Sequence, residues 1–184
     1  MLRILFIFFI LNFYSPVYSL AKEEIISKMR LTNNLSFNFI QTIDNKNEDG
    51  KCIIKYPKKI WCEYNNSNKK IIVSNGKSLV IKNRNSGSYY IYPLSKTPLI
   101  FLLDKDYLIS KINTLKPREI DNKYINFLIF ENNNQINIFF DKKNLSLVGW
   151  QTEDIYQNFA VTFISSVKIN QKIDNKIFIL PKNN

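Results

Sequence analysis

The chain has 184 residues and is basic, with 26 Lys+Arg against 15 Asp+Glu, a formal net charge of +11 and no histidine. Lacking imidazole, and with only two cysteines ten residues apart, it excludes histidine general-base chemistry, Ser-His-Asp and Cys-His nucleophiles and ordinary zinc sites. The lysines stand singly among asparagines and isoleucines, so the charge reads as a solvated surface rather than a nucleic-acid groove, with at most a bias toward acidic proteins or anionic lipid headgroups.

Residues 1–21 read as a signal peptide. Arg3 supplies the positive n-region, residues 4–13 form an apolar run broken only by Asn12, and Ser15-Pro16 end it. Cleavage then follows Val17-Tyr18-Ser19 or Ser19-Leu20-Ala21, before Lys22-Glu23-Glu24. The apolar run is well short of the roughly 20 residues that span a bilayer, so the expectation is export rather than anchoring. No cysteine stands at the cleavage point to carry a lipid. Residues 22–184 are of a size for one domain with one core.

Helical character comes first in the mature chain. Residues 22–31 place Glu23 and Glu24 in a first turn and Ile25, Ile26 and Met29 on one face, which predicts an amphipathic helix against a sheet. After it, period-2 alternation between turn clusters predicts strands over residues 35–43, 51–56, 60–64, 70–74, 78–82, 88–92, 124–131, 135–141, 146–151, 159–170 and 176–180. One segment interrupts the rhythm: residues 97–103 offer Thr97 as an N-cap, Pro98 for the first helical position and then five apolar residues. A two-turn helix that is apolar all round cannot stay in water, so it must cover something.

In residues 35–43 the apolar side chains Leu35, Phe37, Phe39 and Ile43 share one face. Around Pro57, an odd-numbered connection sets Cys52 opposite Cys62 and Ile54 opposite Ile60; a two-residue loop would pair Cys52 with Glu63 and rule out a bridge. In an oxidising compartment the first register gives a disulfide that staples the hairpin, with no Cys-x-x-Cys to make it a redox centre. Trp61 points outward in this register. Trp150, after Gly149, serves equally as sheet filler or as cargo contact. The acidic pairs Asp104/Asp106 and Glu153/Asp154 are adjacent in sequence rather than set on facing strands, which reads as solvated turns rather than a catalytic dyad. Neither enzyme chemistry nor a cofactor or metal is expected.

The run Ile71-Ile72-Val73-Ser74-Asn75-Gly76-Lys77-Ser78-Leu79 resembles the strand-turn-strand signature of the periplasmic lipoprotein carrier family LolA. In the same order come Phe39-x-Gln41 after an N-terminal helix, the Gly50 to Tyr64 hairpin with its central proline, the Lys96-Thr97-Pro98-Leu99 segment, and the ending Asp174 to Pro181. The resemblance covers nearly the whole mature chain. It implies a mainly β fold, an incomplete, half-open antiparallel barrel with an N-terminal helix and a short apolar helical lid over a hydrophobic cavity. The implied cavity is lined by Phe37, Phe39, Ile54, Tyr56, Ile60, Tyr64 and the lid stripe Leu99, Leu102 and Leu103, with the cysteines on or near the concave face. It further implies a monomeric periplasmic protein that carries acylated lipoproteins from an inner-membrane lipoprotein-releasing transporter to an outer-membrane lipoprotein acceptor. Where the family has an arginine before the hairpin proline, bonded to the lid, this chain has Tyr56, which lacks the charge and fork of a guanidinium. The alternative is an exported lipid- or protein-sensing regulatory domain on the same fold.

Overall fold

The computed structural model describes residues 16–66, 69–132, 134–153 and 158–182. A helix, α1 (Pro16–Leu31), precedes six strands: β1 (Asn34–Ile43), β2 (Lys46–Lys55), β3 (Lys59–Tyr64), β4 (Lys70–Asn75), β5 (Ser78–Asn83) and β6 (Tyr89–Pro93). A 3-10 turn (Leu94–Lys96), the short α2 (Leu99–Leu102) and α3 (Lys105–Thr114) follow, and then β7 (Arg118–Ile120), β8 (Tyr124–Glu131), β9 (Asn134–Asp141), β10 (Leu147–Glu153) and β11 (Phe159–Ile169).

All eleven strands belong to one antiparallel sheet in the order β6-β5-β4-β3-β2-β1-β11-β10-β9-β8-β7. Two meanders therefore join where β1 pairs with β11, from Leu35 opposite Ile169 to Ile43 opposite Ala160. β6 and β7 remain unpaired edges, so the sheet curls without closing. This is the mainly β, half-open barrel expected from the sequence.

Local chemistry explains most boundaries. Ile43 pairs with Lys46 across Asp44 and Asn45, both at positive φ, which makes the two-residue hairpin turn favoured by Asp and Asn. That turn starts β2 five residues before the expected strand. Residues 46–50 have no apolar alternation to announce it, and their extension comes from pairing with β1. Across the next turn Lys55 pairs with Lys59, leaving three residues in the loop, so Cys52 faces Cys62 and Ile54 faces Ile60. The two sulfurs are bonded, with 4.1 Å between the Cα atoms. Trp61 lies on the other face of β3, half-buried, with the Lys51 ammonium 5.8 Å from its ring.

Four expectations are corrected. α1 begins at Pro16, not Lys22, while residues 1–15 of the expected signal peptide lie outside the described residues. α3 was not expected: Asp104, read as a solvated acid, accepts a 3.1 Å hydrogen bond from the Tyr107 N–H and caps the helix, which buries Leu108 and Ile112. The three-residue edge strand β7 is too short to alternate, and Arg118 holds it by donating to the Asn126 and Asn137 side-chain carbonyls. Finally, residues 176–180 do not form a strand. Asp174 accepts from the Lys176 N–H and starts a 3-10 turn (Asn175–Phe178) that buries Phe178 beside β3 and β4. Glu153 ends β10, and its expected partner Asp154 lies outside the described residues. Among the described residues, no helix is long and apolar enough to cross a membrane.

Candidate functional site: a lidded apolar cavity

The inward residues of the curled sheet leave space beneath the helices. A first cavity of about 390 Å³ lies under α1, α2 and α3, and a second of about 340 Å³ lies beside it, toward β4, β5 and β6. Ile54, Tyr56, Ile60, Leu99, Leu102 and Leu103 all line the first. Phe39, Ile60, Tyr64, Leu99 and both cysteines line the second. Phe37 shares their face but lines neither cavity; its ring packs edge-on against Trp150 with 5.9 Å between centroids.

Trp150 itself borders both spaces, and Leu108 from the unexpected α3 borders the first. Its signal in the sequence was the capping Asp104 followed by Leu108 and Ile112 four residues apart, a helix start that the charged residues 104–106 obscured.

The first cavity is walled mainly by apolar side chains, with the rings of Tyr56, Phe140 and Trp150 among the aliphatic groups, and it also meets Lys28, Lys105 and Asn144. The second carries a polar seam, in which the Tyr64 hydroxyl donates to Gln41 Oε1 at 3.0 Å and Gln41 Nε2 donates to Thr162 Oγ1 at 3.1 Å. The Phe39 ring stands edge-on to Tyr64 at 4.9 Å, and the Lys70 ammonium sits 3.8 Å from the Tyr64 centroid while pairing with Glu48. Burial, then the Glu48 charge, raises the Tyr64 phenol far above its ordinary range, so it remains a neutral donor.

The lid is shorter and fastened differently than expected. Thr97 does not cap it: the hydroxyl donates back to the Leu94 carbonyl at 2.9 Å, and Thr97 is extended. α2 takes only Leu99–Leu102, and the fully buried Leu103 caps its C-terminal end. At its near end the Leu94 N–H donates to the Lys77 carbonyl at 2.8 Å. At its far end the Lys58 N–H donates to the Leu103 carbonyl at 2.8 Å, and the Lys58 ammonium pairs with Asp104 at 3.1 Å.

Tyr56 is not this latch. Its ring lines the first cavity, 5.8 Å from the Lys105 ammonium, and burial pushes its phenol up to about 12. Among the described residues its hydroxyl makes no hydrogen bond to the lid. Lys58, at φ 65 just beyond the proline, takes the role, and buried Ser74 secures it by donating to its carbonyl at 3.1 Å. Ser74 also accepts from the Gly76 N–H at 3.1 Å, so the Ser74-Asn75-Gly76-Lys77 turn anchors both ends of the lid segment.

An unclosed antiparallel sheet wrapped around apolar space, with a helical cover fastened by main-chain bonds, is the half-open barrel of a lidded cavity protein. The chain belongs to the outer membrane lipoprotein carrier protein LolA family, whose sequence profile matches residues 30–180. No curated protein matches it in sequence at a significant level. Among solved structures it is similar to an uncharacterized conserved protein from Thermus thermophilus, with a TM-score of 0.52, 8% identity, and coverage of 89% of this chain and 94% of that one. It is similar to MucB with a TM-score of 0.50 and 5% identity, covering 92% of this chain and 65% of MucB. A LolA superfamily protein from Nitrosomonas europaea aligns with a TM-score of 0.46 and 9% identity, over 86% and 97% of the two chains. At these identities the likenesses show the fold alone.

Proposed function

We propose that the protein is a soluble periplasmic carrier that holds the acyl chains of lipoproteins in this cavity and moves them from the inner to the outer membrane, without catalysing a reaction. The observation that carries the reading is the pair of adjoining apolar spaces beneath a short helical cover, in a chain of the LolA family. Each methylene withdrawn from water contributes about 0.8 kcal/mol, so an acyl chain in the cavity has ample reason to leave solvent. Release requires that the cover open, and a four-residue helix held at its ends by single main-chain bonds suits that need. In this reading a lipoprotein-releasing transporter loads the carrier and an outer-membrane acceptor unloads it.

Mass spectrometry of proteins and lipids co-purifying with it from periplasm tests the proposal. Stoichiometric acylated lipoproteins support it, and recovery of the protein free of acylated species under mild conditions counts against it. An exported sensing domain on the same fold is the rival, since the same cavity would serve to report a lipid rather than move it. Transfer of a loaded lipoprotein to acceptor membranes separates the two.

A further inference from the structure

Three apolar side chains on the wall of the first cavity stand exposed: Leu31 at the end of α1, and Val167 and Ile169 at the end of β11. A β-bulge aims two of them. Along β11 the buried residues are the even-numbered Ala160, Thr162 and Ile164. Between the pairs Asn38–Ser165 and Ser36–Lys168 the strand then holds one extra residue, with Ser166 at φ 53. Beyond the bulge the odd-numbered Val167 and Ile169 face the cavity, Ile169 opposite the buried Leu35. Without it Lys168 would face inward instead.

Hydrogen bonds fix this rim. Asn170 Nδ2 donates to the Leu31 carbonyl at 2.8 Å, its Oδ1 accepts from the Asn33 N–H at 2.7 Å, and its own N–H donates to the Asn34 carbonyl at 3.0 Å. The exit of α1 and the end of β11 are thereby tied together. Exposed apolar groups gathered at one place mark a contact site rather than a core.

The charge around the rim has one dominant sign. Lys28 and Lys105 line the cavity and no carboxylate does among the described residues, although Glu24 pairs with Lys28 at 2.9 Å. Lys105 donates to the Arg30 and Thr32 carbonyls at 3.1 and 3.0 Å, which sets an ammonium against the negative end of α1. Arg30 and Lys168, both exposed, adjoin Leu31 and Ile169 in sequence. Aliphatic groups beside long cationic side chains match a bilayer surface, where the first enter the headgroup layer and the second reach lipid phosphates.

From this rim we propose that the mouth of the first cavity docks on an anionic lipid surface, with Leu31, Val167 and Ile169 entering the headgroup layer and Arg30, Lys105 and Lys168 meeting phosphates. The inference rests on the carrier reading and gives the face through which that carrier meets a membrane.

Flotation of the mature protein with vesicles of equal parts phosphatidylglycerol and phosphatidylcholine, against vesicles of phosphatidylcholine alone, tests it. The wild type is expected to bind the anionic vesicles about ten-fold more strongly, and raised salt should weaken this binding. Leu31→Ser/Ile169→Ser and Arg30→Glu, all at exposed positions, should each weaken it by about ten-fold. Val167→Ser replaces the double variant if that fails to fold. Phe130→Ser and Lys46→Glu make the same kinds of change at the other end of the sheet, where Phe130 is 68% exposed against 69% for Leu31. These two should stay within about two-fold of the wild type. A wild type that stays off anionic vesicles overturns the docking and assigns the rim to a protein partner. Equal binding to neutral vesicles, or equal losses from both ends of the sheet, overturns it as well. The carrier reading fails by a different assay, when the wild type binds no acylated lipopeptide in solution.

Discussion

The N–H of Lys58 donates a 2.8 Å hydrogen bond to the carbonyl of Leu103, tying the hairpin turn after Pro57 to the last residue of the lid. The Lys58 ammonium adds an ion pair with Asp104 at 3.1 Å. Both ion-pair partners are partly exposed, so the pair contributes about 0.2–1 kcal/mol. Lys58→Ala and Asp104→Asn should each raise hydrogen exchange over residues 97–105 by a few-fold at most. Asn keeps the helix cap of α3, so Asp104→Asn isolates the charge. Tyr56→Phe should leave exchange unchanged. Stronger lid opening in Tyr56→Phe than in Lys58→Ala would return the latch to position 56.

Ser74 acts one step behind this contact, and its hydroxyl is the group that fixes the Lys58 carbonyl. Ser74 is buried and its two partners are half-buried, so Ser74→Ala removes both bonds at a cost of about 0.5–1.5 kcal/mol each. Urea unfolding should show this loss, and exchange over residues 97–105 should rise more than in Lys58→Ala. A variant as stable as the wild type would mean that the turn does not anchor the lid.

Gly50 lies against Phe39, whose ring lines the second cavity. A Cβ there would lie 2.2 Å from the Glu63 carbonyl oxygen and 2.9 Å from the Phe39 ring, and the nearer atom is backbone that cannot swing aside. Gly50→Ala should therefore cost about 1–3 kcal/mol in urea unfolding through overpacking, and should disturb the Phe39–Tyr64 contact. An unchanged denaturation midpoint would show that the strands part easily at this point.

The Cys52–Cys62 bridge closes a loop of sequence separation 10. Loop-closure entropy assigns it about 2–3 kcal/mol. Under non-reducing conditions the exported protein should resist alkylation at both positions, and Cys52→Ser/Cys62→Ser should lose stability of this order. Two alkylated thiols in the exported protein would contradict the bridge.

A pH dependence follows from the tether between α3 and β8. Lys111 donates to Glu131 at 2.6 Å and Tyr107 at 3.1 Å, and these bonds, Lys111 first, hold the Glu131 carboxyl below the usual carboxylate range. A folded pKa below the unfolded one gives stability that is complete above the unfolded value and is lost as pH falls through the folded one. Exchange within α3 should therefore rise as the protein is acidified through and below the ordinary carboxylate range, and Glu131→Gln should flatten the rise. An identical acid profile in that variant would remove Glu131 from the account.

The hydrophobic face of the strands and the lid stripe were legible in the sequence, because each is a local pattern of period two or of three and four, whereas the cysteine hairpin allowed two registers until its three-residue loop decided between them. Residues 46–50 were not legible, since their extension comes from β1 rather than from their own side chains. The tail misled for the opposite reason: alternating Ile177 and Ile179 imitate a strand, while one buried Phe178 fixes the segment as a turn. The Lys58 latch was invisible because it is a main-chain bond between residues 45 positions apart, which side-chain identity does not encode. Phe37 looked like its neighbour Phe39, and only the placement of Trp150 separates packing from lining.

Direct binding of an acylated lipopeptide and of the same peptide without its acyl chains tests the central claim, that the lidded cavity holds lipid chains. The account predicts that the full chain binds the acylated form and not the other, and that Leu99→Glu, which places a carboxylate where Leu99 lines both cavities, abolishes binding while the protein stays folded. Equal binding of both peptides, or undiminished binding by folded Leu99→Glu, would contradict it.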